Sequence, residues 1–300
     1  MSLELGWLEA VGTGLLQGVA SVFPISGLGH AVVVGAIGNG VGRDIAPTNA
    51  RYLFALLRVA VAVGLFAYFW RDWVRFAAGL VRSVRRPRRR REDDLWVPLI
   101  LLATVPGCVA VAVLVPRARS LLTHPVPAAL GLLGNGVVLA GVWFWWRRSP
   151  RSGGRSGSHR ARITRTEESR SFAVEVAQGV RPFQAVLLGL LPVAALVPGI
   201  SGVGLALTAC VLWGMTHEQA VRITLIVISP LLLVWGLREL PDVTGRAFDA
   251  VRGQALLAGV VALVAAYLAA ALLSRAFRRD SLGVFGAYCV LAGGIAAVLI

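Results

Sequence analysis

The chain has 300 residues, 57% of them hydrophobic and 15% charged, with a mean hydropathy of +0.73, which excludes a soluble globule. Its formal charge of +15 comes from 30 basic residues against 15 acidic ones, and every basic residue is arginine. Twenty of the thirty fall in three blocks, 71–91, 147–170 and 274–280, between apolar runs; this pattern marks the cytoplasmic side of a membrane protein and argues against a nucleic-acid surface.

Glu4 and Glu9 stand where a secretory signal would be basic, so the first apolar stretch is predicted to stay in the mature protein. Residues 10–42 are 33 positions whose only titratable side chain is His30, interrupted by Pro24, Gly27 and Gly29. A crossing takes about 20 apolar residues. This stretch is too long for one, and a broken helix at membrane depth survives only where protein or a watery cavity satisfies its backbone. It is therefore predicted as a re-entrant helix pair. Crossings follow over 52–70, with Arg58 near the middle, over 97–115 and over 126–146. Residues 183–217 form a second overlong stretch of 35, broken by Pro192, Pro198, Gly199, Gly202 and Gly204, and predict a second re-entrant pair. Crossings over 223–237, extendable back to Ala220, over 253–273 and over 281–300 bring the number to six.

Between these elements the sequence reads plainly. Cys108, Cys210 and Cys289 lie singly in apolar runs and are small core residues. Gly12, Gly14, Gly131 and Gly134 fit close helix packing. Trp70, Trp73, Trp143, Trp145 and Trp146 fall at span ends, as interfacial belts do. The charge run 85–91 and the linker 149–158 read as solvated loops.

With the arginine blocks inside, residues 1–50 lie outside, 171–219 inside and Ile300 outside. The two re-entrant pairs then enter from opposite faces, as an inverted-topology repeat requires. Ile25-Ser26-Gly27-Leu28-Gly29 matches Ile200-Ser201-Gly202-Val203-Gly204, an I-S-G-x-G pentapeptide that falls at the break of each pair. The fold class expected is all-α integral membrane: a polytopic helical bundle with inverted-topology repeats and two re-entrant helix pairs. One membrane domain spans 1–300, with repeat one over 1–146, a cytoplasmic linker over 147–170 and repeat two over 171–300.

Where two broken helices meet at the midplane, their N-terminal N–H groups and dipoles favour an anion such as phosphate. The first break offers the hydroxyl of Ser26, the permissive backbone of Gly27 and Gly29, and the imidazole of His30; the second offers Ser201, Gly202 and Gly204. Arg58 is a further candidate cation, since a charge at span depth costs roughly 2.5–3.5 kcal/mol and faces a cavity or a partner. An equal reading pairs it with Asp44 or a backbone carbonyl.

The segment from Gln17 to His30, QGVASVFPISGLGH, resembles the first signature of the undecaprenyl-diphosphate phosphatases, the bacitracin-resistance family, roughly E/Q-G-x-x-E-F-x-P-I/V-S-S-x-G-H. Pro198-Gly199-Ile200-Ser201-Gly202, with Leu212-Trp213-Gly214-Met215 downstream, resembles the second, roughly P-G-x-S-R-S-G-x-T. Tyr68-Phe69-Trp70-Arg71 resembles the family's first cytoplasmic span end, and the likeness runs in order over almost the whole chain. It implies a bacterial plasma-membrane hydrolase that converts a polyprenyl (undecaprenyl) diphosphate to the monophosphate carrier of cell-wall synthesis, on the outer face. Carried over by position, Gln17 matches the first acidic-or-amide site, Ser26 and His30 the serine and histidine of the first signature, and Ser201 the serine of the second. The family's glutamate is Ser21 here, its second serine Gly27, its arginine Gly202 and the serine after that Val203.

The resemblance implies a divalent metal, but with the glutamate replaced by Ser21 no metal ligand is assigned. His30 is the expected base, or phosphate donor when protonated, and Ser26 the nucleophile it activates. Gln17, Gly27, Gly29, Arg58, Ser201, Gly202 and Gly204 are the expected phosphate contacts, with Arg58, where the family usually has glutamine, supplying the charge lost at Gly202. Expected partners are the lipid diphosphate, the membrane and a second copy of the chain in a homodimer, with no nucleic acid. The missing glutamate and arginine leave an alternative open, a non-catalytic paralogue that binds or flips a lipid phosphate. A solute channel fits less well, since no charged ring lines the spans.

Overall fold

The computed structural model describes residues 6–37, 47–85, 96–118, 125–148, 179–240, 252–277 and 281–300, without the side chains of 37 and 47–51. Among the described residues every regular element is a helix, because in hydrocarbon only a helix satisfies its backbone within one segment. The expected crossings are found as α3 (Pro47–Tyr68), α5 (Trp96–Ala118), α6 (Pro125–Arg148), α9 (His217–Glu239), α10 (Arg252–Ala276) and α11 (Ser281–Leu299). Their outer faces expose Val105, Leu130, Leu268 and Leu291. That surface suits lipid and would aggregate in water.

Both overlong stretches break where proline and glycine stand. The first is α1 (Trp7–Ala20), a turn over 21–26, and α2 (Gly27–Ile37). The second is α7 (Pro182–Leu190), a 3₁₀ turn (Leu191–Leu196), a turn over 197–201, and α8 (Gly202–Leu212). With α2 and α8 only 11 residues long, neither can cross the bilayer alone.

The most extensive helix contacts come in matched pairs. Exchanging α1 with α7, α3 with α9, α5 with α10 and α6 with α11 carries the α1–α10 contact into α7–α5 and the α3–α10 contact into α9–α5. The α3–α9 and α6–α11 contacts map onto themselves. A two-fold relation between the halves requires this pattern. Each half has an odd number of crossings, so the halves run oppositely through the membrane and the axis lies in its plane.

Two local readings change. Residue 70 does not belong to the crossing, and the start of the 71–91 block is not a loop. The chain turns by 80° after Tyr68 into α4 (Trp70–Arg85), an amphipathic helix. Arg71, Arg75 and Arg82 recur on one of its faces and Trp70, Val74, Val81 and Val84 on another, a two-faced pattern that suits a membrane interface better than a continued crossing. Arg222 of α9 donates to Asp72 at 2.6 Å and pins α4 to the bundle.

The packing glycines also divide. A Cβ on Gly14 would collide with the Ala258 carbonyl oxygen, and one on Gly131 with that of Pro198, so both hold close backbone approaches. Around Gly12 and Gly134 a Cβ would meet nothing within 4 Å among the described residues, and the packing expected of them is not found there. Composition cannot tell which face of a helix a glycine occupies.

Candidate functional site

Both I-S-G-x-G segments fold as helix N-caps. Gly29 N–H donates to Ser26 Oγ at 3.3 Å, and Gly204 N–H donates to Ser201 Oγ at 3.0 Å. Ser26 O accepts from His30 N–H, and Ser201 O accepts from Leu205 N–H, opening α2 and α8 in the same way. The serines stand where hydroxyl caps satisfy otherwise orphaned donors. The halves differ in backbone: Ser26 takes a left-handed φ of 65°, whereas Ser201 is extended at −94° and Gly199 carries the positive φ of 90°. A non-glycine residue in that region costs on the order of 1–3 kcal/mol, and such residues collect at functional sites. The turns touch back to back, since a Cβ on Gly29 would come 2.5 Å from Gly199 Cα.

A cavity of about 70 Å³ opens between them. Its polar lining is Gln17, Ser21, Ser26, Arg58 and Ser201, and Trp235, Leu231 and Ile228 form part of an apolar wall. Gly27 and Leu28 from α2 and Gly202 and Val203 from α8 also face it, and these are the residues whose N–H groups have no acceptor within a helix. Two positive helix ends thus meet one buried guanidinium, since Arg58 is 4% exposed.

Arg58 is held from behind. Its Nη1 donates to Glu239 Oε2 at 2.6 Å, and the guanidinium lies 4.3 Å from the centre of the Trp235 ring. Asp44, the partner considered from sequence, lies outside the described residues. Glu239 falls just past the 223–237 window and pairs across 181 residues, so no local pattern could signal it.

The expected site residues are not equally placed. Gln17, Ser26, Gly27, Arg58, Ser201 and Gly202 line the one cavity; Gly29, Gly204 and His30 stand behind it. Gly204 packs against Asn135 and Pro24. His30 Nδ1 lies 2.8 Å from Ser26 O, which only accepts, so that nitrogen carries the proton; Nε2 then accepts from Tyr288 Oη at 2.9 Å. Both ring nitrogens are engaged, and the contact is with the carbonyl of Ser26, not its hydroxyl. Tyr288, in the last crossing, carried no sequence signal for this role.

Asn135 was also missed. It is a buried amide inside an apolar crossing, and that polarity was the available clue. The carboxylates a divalent metal would take are absent from the cavity lining, which presents amide, hydroxyl and guanidinium groups. Nor do the described residues include any group of three His, Cys, Asp or Glu side chains placed to hold an ion. This donor set does not fit a carboxylate-held metal.

A family model described as bacitracin resistance protein BacA matches residues 10–295. An undecaprenyl-diphosphatase of Mycolicibacterium paratuberculosis is similar at 35% identity, covering 99% of this chain and 98% of that protein. Undecaprenyl-diphosphatase 2 of Frankia alni is 32% identical over 98% of both chains, and the Acidiphilium cryptum undecaprenyl-diphosphatase is 32% identical over the same shares.

Proposed function

The chain belongs to the bacitracin resistance protein BacA family, and from that membership and the cavity between its two turns we infer that it removes the terminal phosphate of undecaprenyl diphosphate. The anhydride bond to the terminal phosphorus breaks, water supplies the new oxygen, and lipid monophosphate and inorganic phosphate leave. The observation that carries the reading is that two helix N-termini, capped by Ser26 and Ser201, open with Arg58 into one shared cavity. Phosphoryl transfer is driven mainly by positioning and by neutralising charge on the phosphoryl oxygens. Arg58 supplies the charge, Ser26 and Ser201 donate their hydroxyl protons, and the Gly27 and Gly202 N–H groups complete the cradle. Gln17, whose buried Oε1 has no hydrogen-bond partner among the described residues, lines the same space. His30 acts on Ser26 through its carbonyl, fixing the strained turn. The test is phosphate release from undecaprenyl diphosphate by purified protein. Release proportional to protein is expected; lipid binding without release would favour the flipping paralogue instead.

The orientation follows from charge. The blocks 71–91, 147–170 and 274–280 stay cytoplasmic, and α4 lays its arginines on anionic headgroups there. A cysteine introduced as Arg155→Cys is expected to be protected from an impermeant thiol reagent in intact cells and labelled after permeabilisation. Labelling in intact cells, above that of the parent chain, would invert the topology.

A further inference from the structure

Asn135 sits in the middle of α6, 4% exposed, and its one amide reaches both halves of the site. Nδ2 donates to Pro24 O at 3.0 Å, in the turn before Ser26; Oδ1 accepts from Ser201 N–H at 3.1 Å. The orientation of the amide is dictated by its partners, because a proline carbonyl can only accept and a backbone N–H can only donate. These partners are 111 residues before and 66 residues after it in sequence, and neither turn is otherwise joined to the other by a described side-chain hydrogen bond.

Each turn is an irregular backbone segment at membrane depth, where an unsatisfied polar group is costly. Without a cross-link, packing alone would set the spacing of Ser26 and Ser201 across the cavity. Loose spacing weakens phosphoryl transfer steeply, because donors must meet the transition-state oxygens within a few tenths of an ångström. We propose that Asn135 is a positioning residue that locks the two inverted half-sites in register, so that Ser26 and Ser201 act on one phosphate as a unit. The inference rests on the phosphatase reading of this cavity.

Its test is a pair of double-mutant cycles on phosphate release from undecaprenyl diphosphate. Ser26→Ala, Ser201→Ala and the double variant are measured in the parent chain and again with Asn135→Asp. Aspartate keeps the volume and the acceptor for Ser201 N–H but loses the donor to Pro24 O. In the parent chain the double variant is expected to depart from the product of the single effects by about three-fold or more, as residues acting together do. With Asn135→Asp the turnover number is expected to fall about ten-fold, with KM changed less, and the Ser26 and Ser201 effects to become multiplicative within about two-fold. A merely structural role would scale all four rates equally and leave the coupling intact; partial misfolding would do the same. Coupling that survives Asn135→Asp overturns the inference alone. A parent chain that releases no phosphate overturns the phosphatase reading, and the inference with it.

Discussion

Replacing Arg58 by glutamine is expected to lower kcat/KM by about 10²–10³, the cost of removing one preorganised donor from a water-poor site. The single variant also leaves Glu239, 2% exposed, without its cation, and breaking a buried pair from one side destabilises by about 3–5 kcal/mol. The two effects separate in the double variant Arg58→Gln/Glu239→Gln, which removes both charges and can retain an amide–amide hydrogen bond. That protein is expected to recover most of its thermal stability and little of its activity. Activity near the parent level in the double variant would make Arg58 a structural cation, and the phosphate would need another.

Restoring the family's arginine is expected to fail. A Cβ on Gly202 would lie 2.7 Å from Pro192 O and 2.9 Å from Pro192 Cα, both backbone atoms that cannot turn aside. Overpacking of this kind costs about 1–3 kcal/mol before the rest of the side chain is placed. Gly202→Arg should therefore lower the thermal midpoint and abolish turnover, and it should not rescue Arg58→Gln. Gly27→Ser is the contrasting case, since a Cβ there meets the side-chain atoms of Ser21 at 3.1 Å and Gln17 at 3.2 Å, which can shift. It is expected to fold and retain activity within about ten-fold. Rescue of Arg58→Gln by Gly202→Arg would show that the second turn has more room than these contacts allow.

The membrane plan was legible because its signals are local. Runs of about 20 apolar residues, arginine between them and proline with glycine inside the two long stretches each read out within one window. The paired pentapeptides pointed to the site for the same reason, since each places a serine and two glycines at the break of an overlong apolar stretch. What stayed hidden depends on contacts across the fold. Asn135 meets its partners 111 and 66 residues away, and Glu239 meets Arg58 across 181. His30 was identified, but its direction was not: only the packing of the last crossing places Tyr288 Oη against its Nε2. The bend after Tyr68 could have been inferred from the helical spacing of Arg71, Arg75 and Arg82, which makes a surface helix and not a loop.

The central claim, that both turns and Arg58 grip one phosphate, is tested most directly by an experimental structure of the chain with a lipid methylene-diphosphonate, which cannot be hydrolysed at the bridge. The terminal phosphonate is expected between the hydroxyls of Ser26 and Ser201, at hydrogen-bond distance from the Arg58 guanidinium. A diphosphonate bound elsewhere, or one held by a single turn with Arg58 still facing only Glu239, would contradict it.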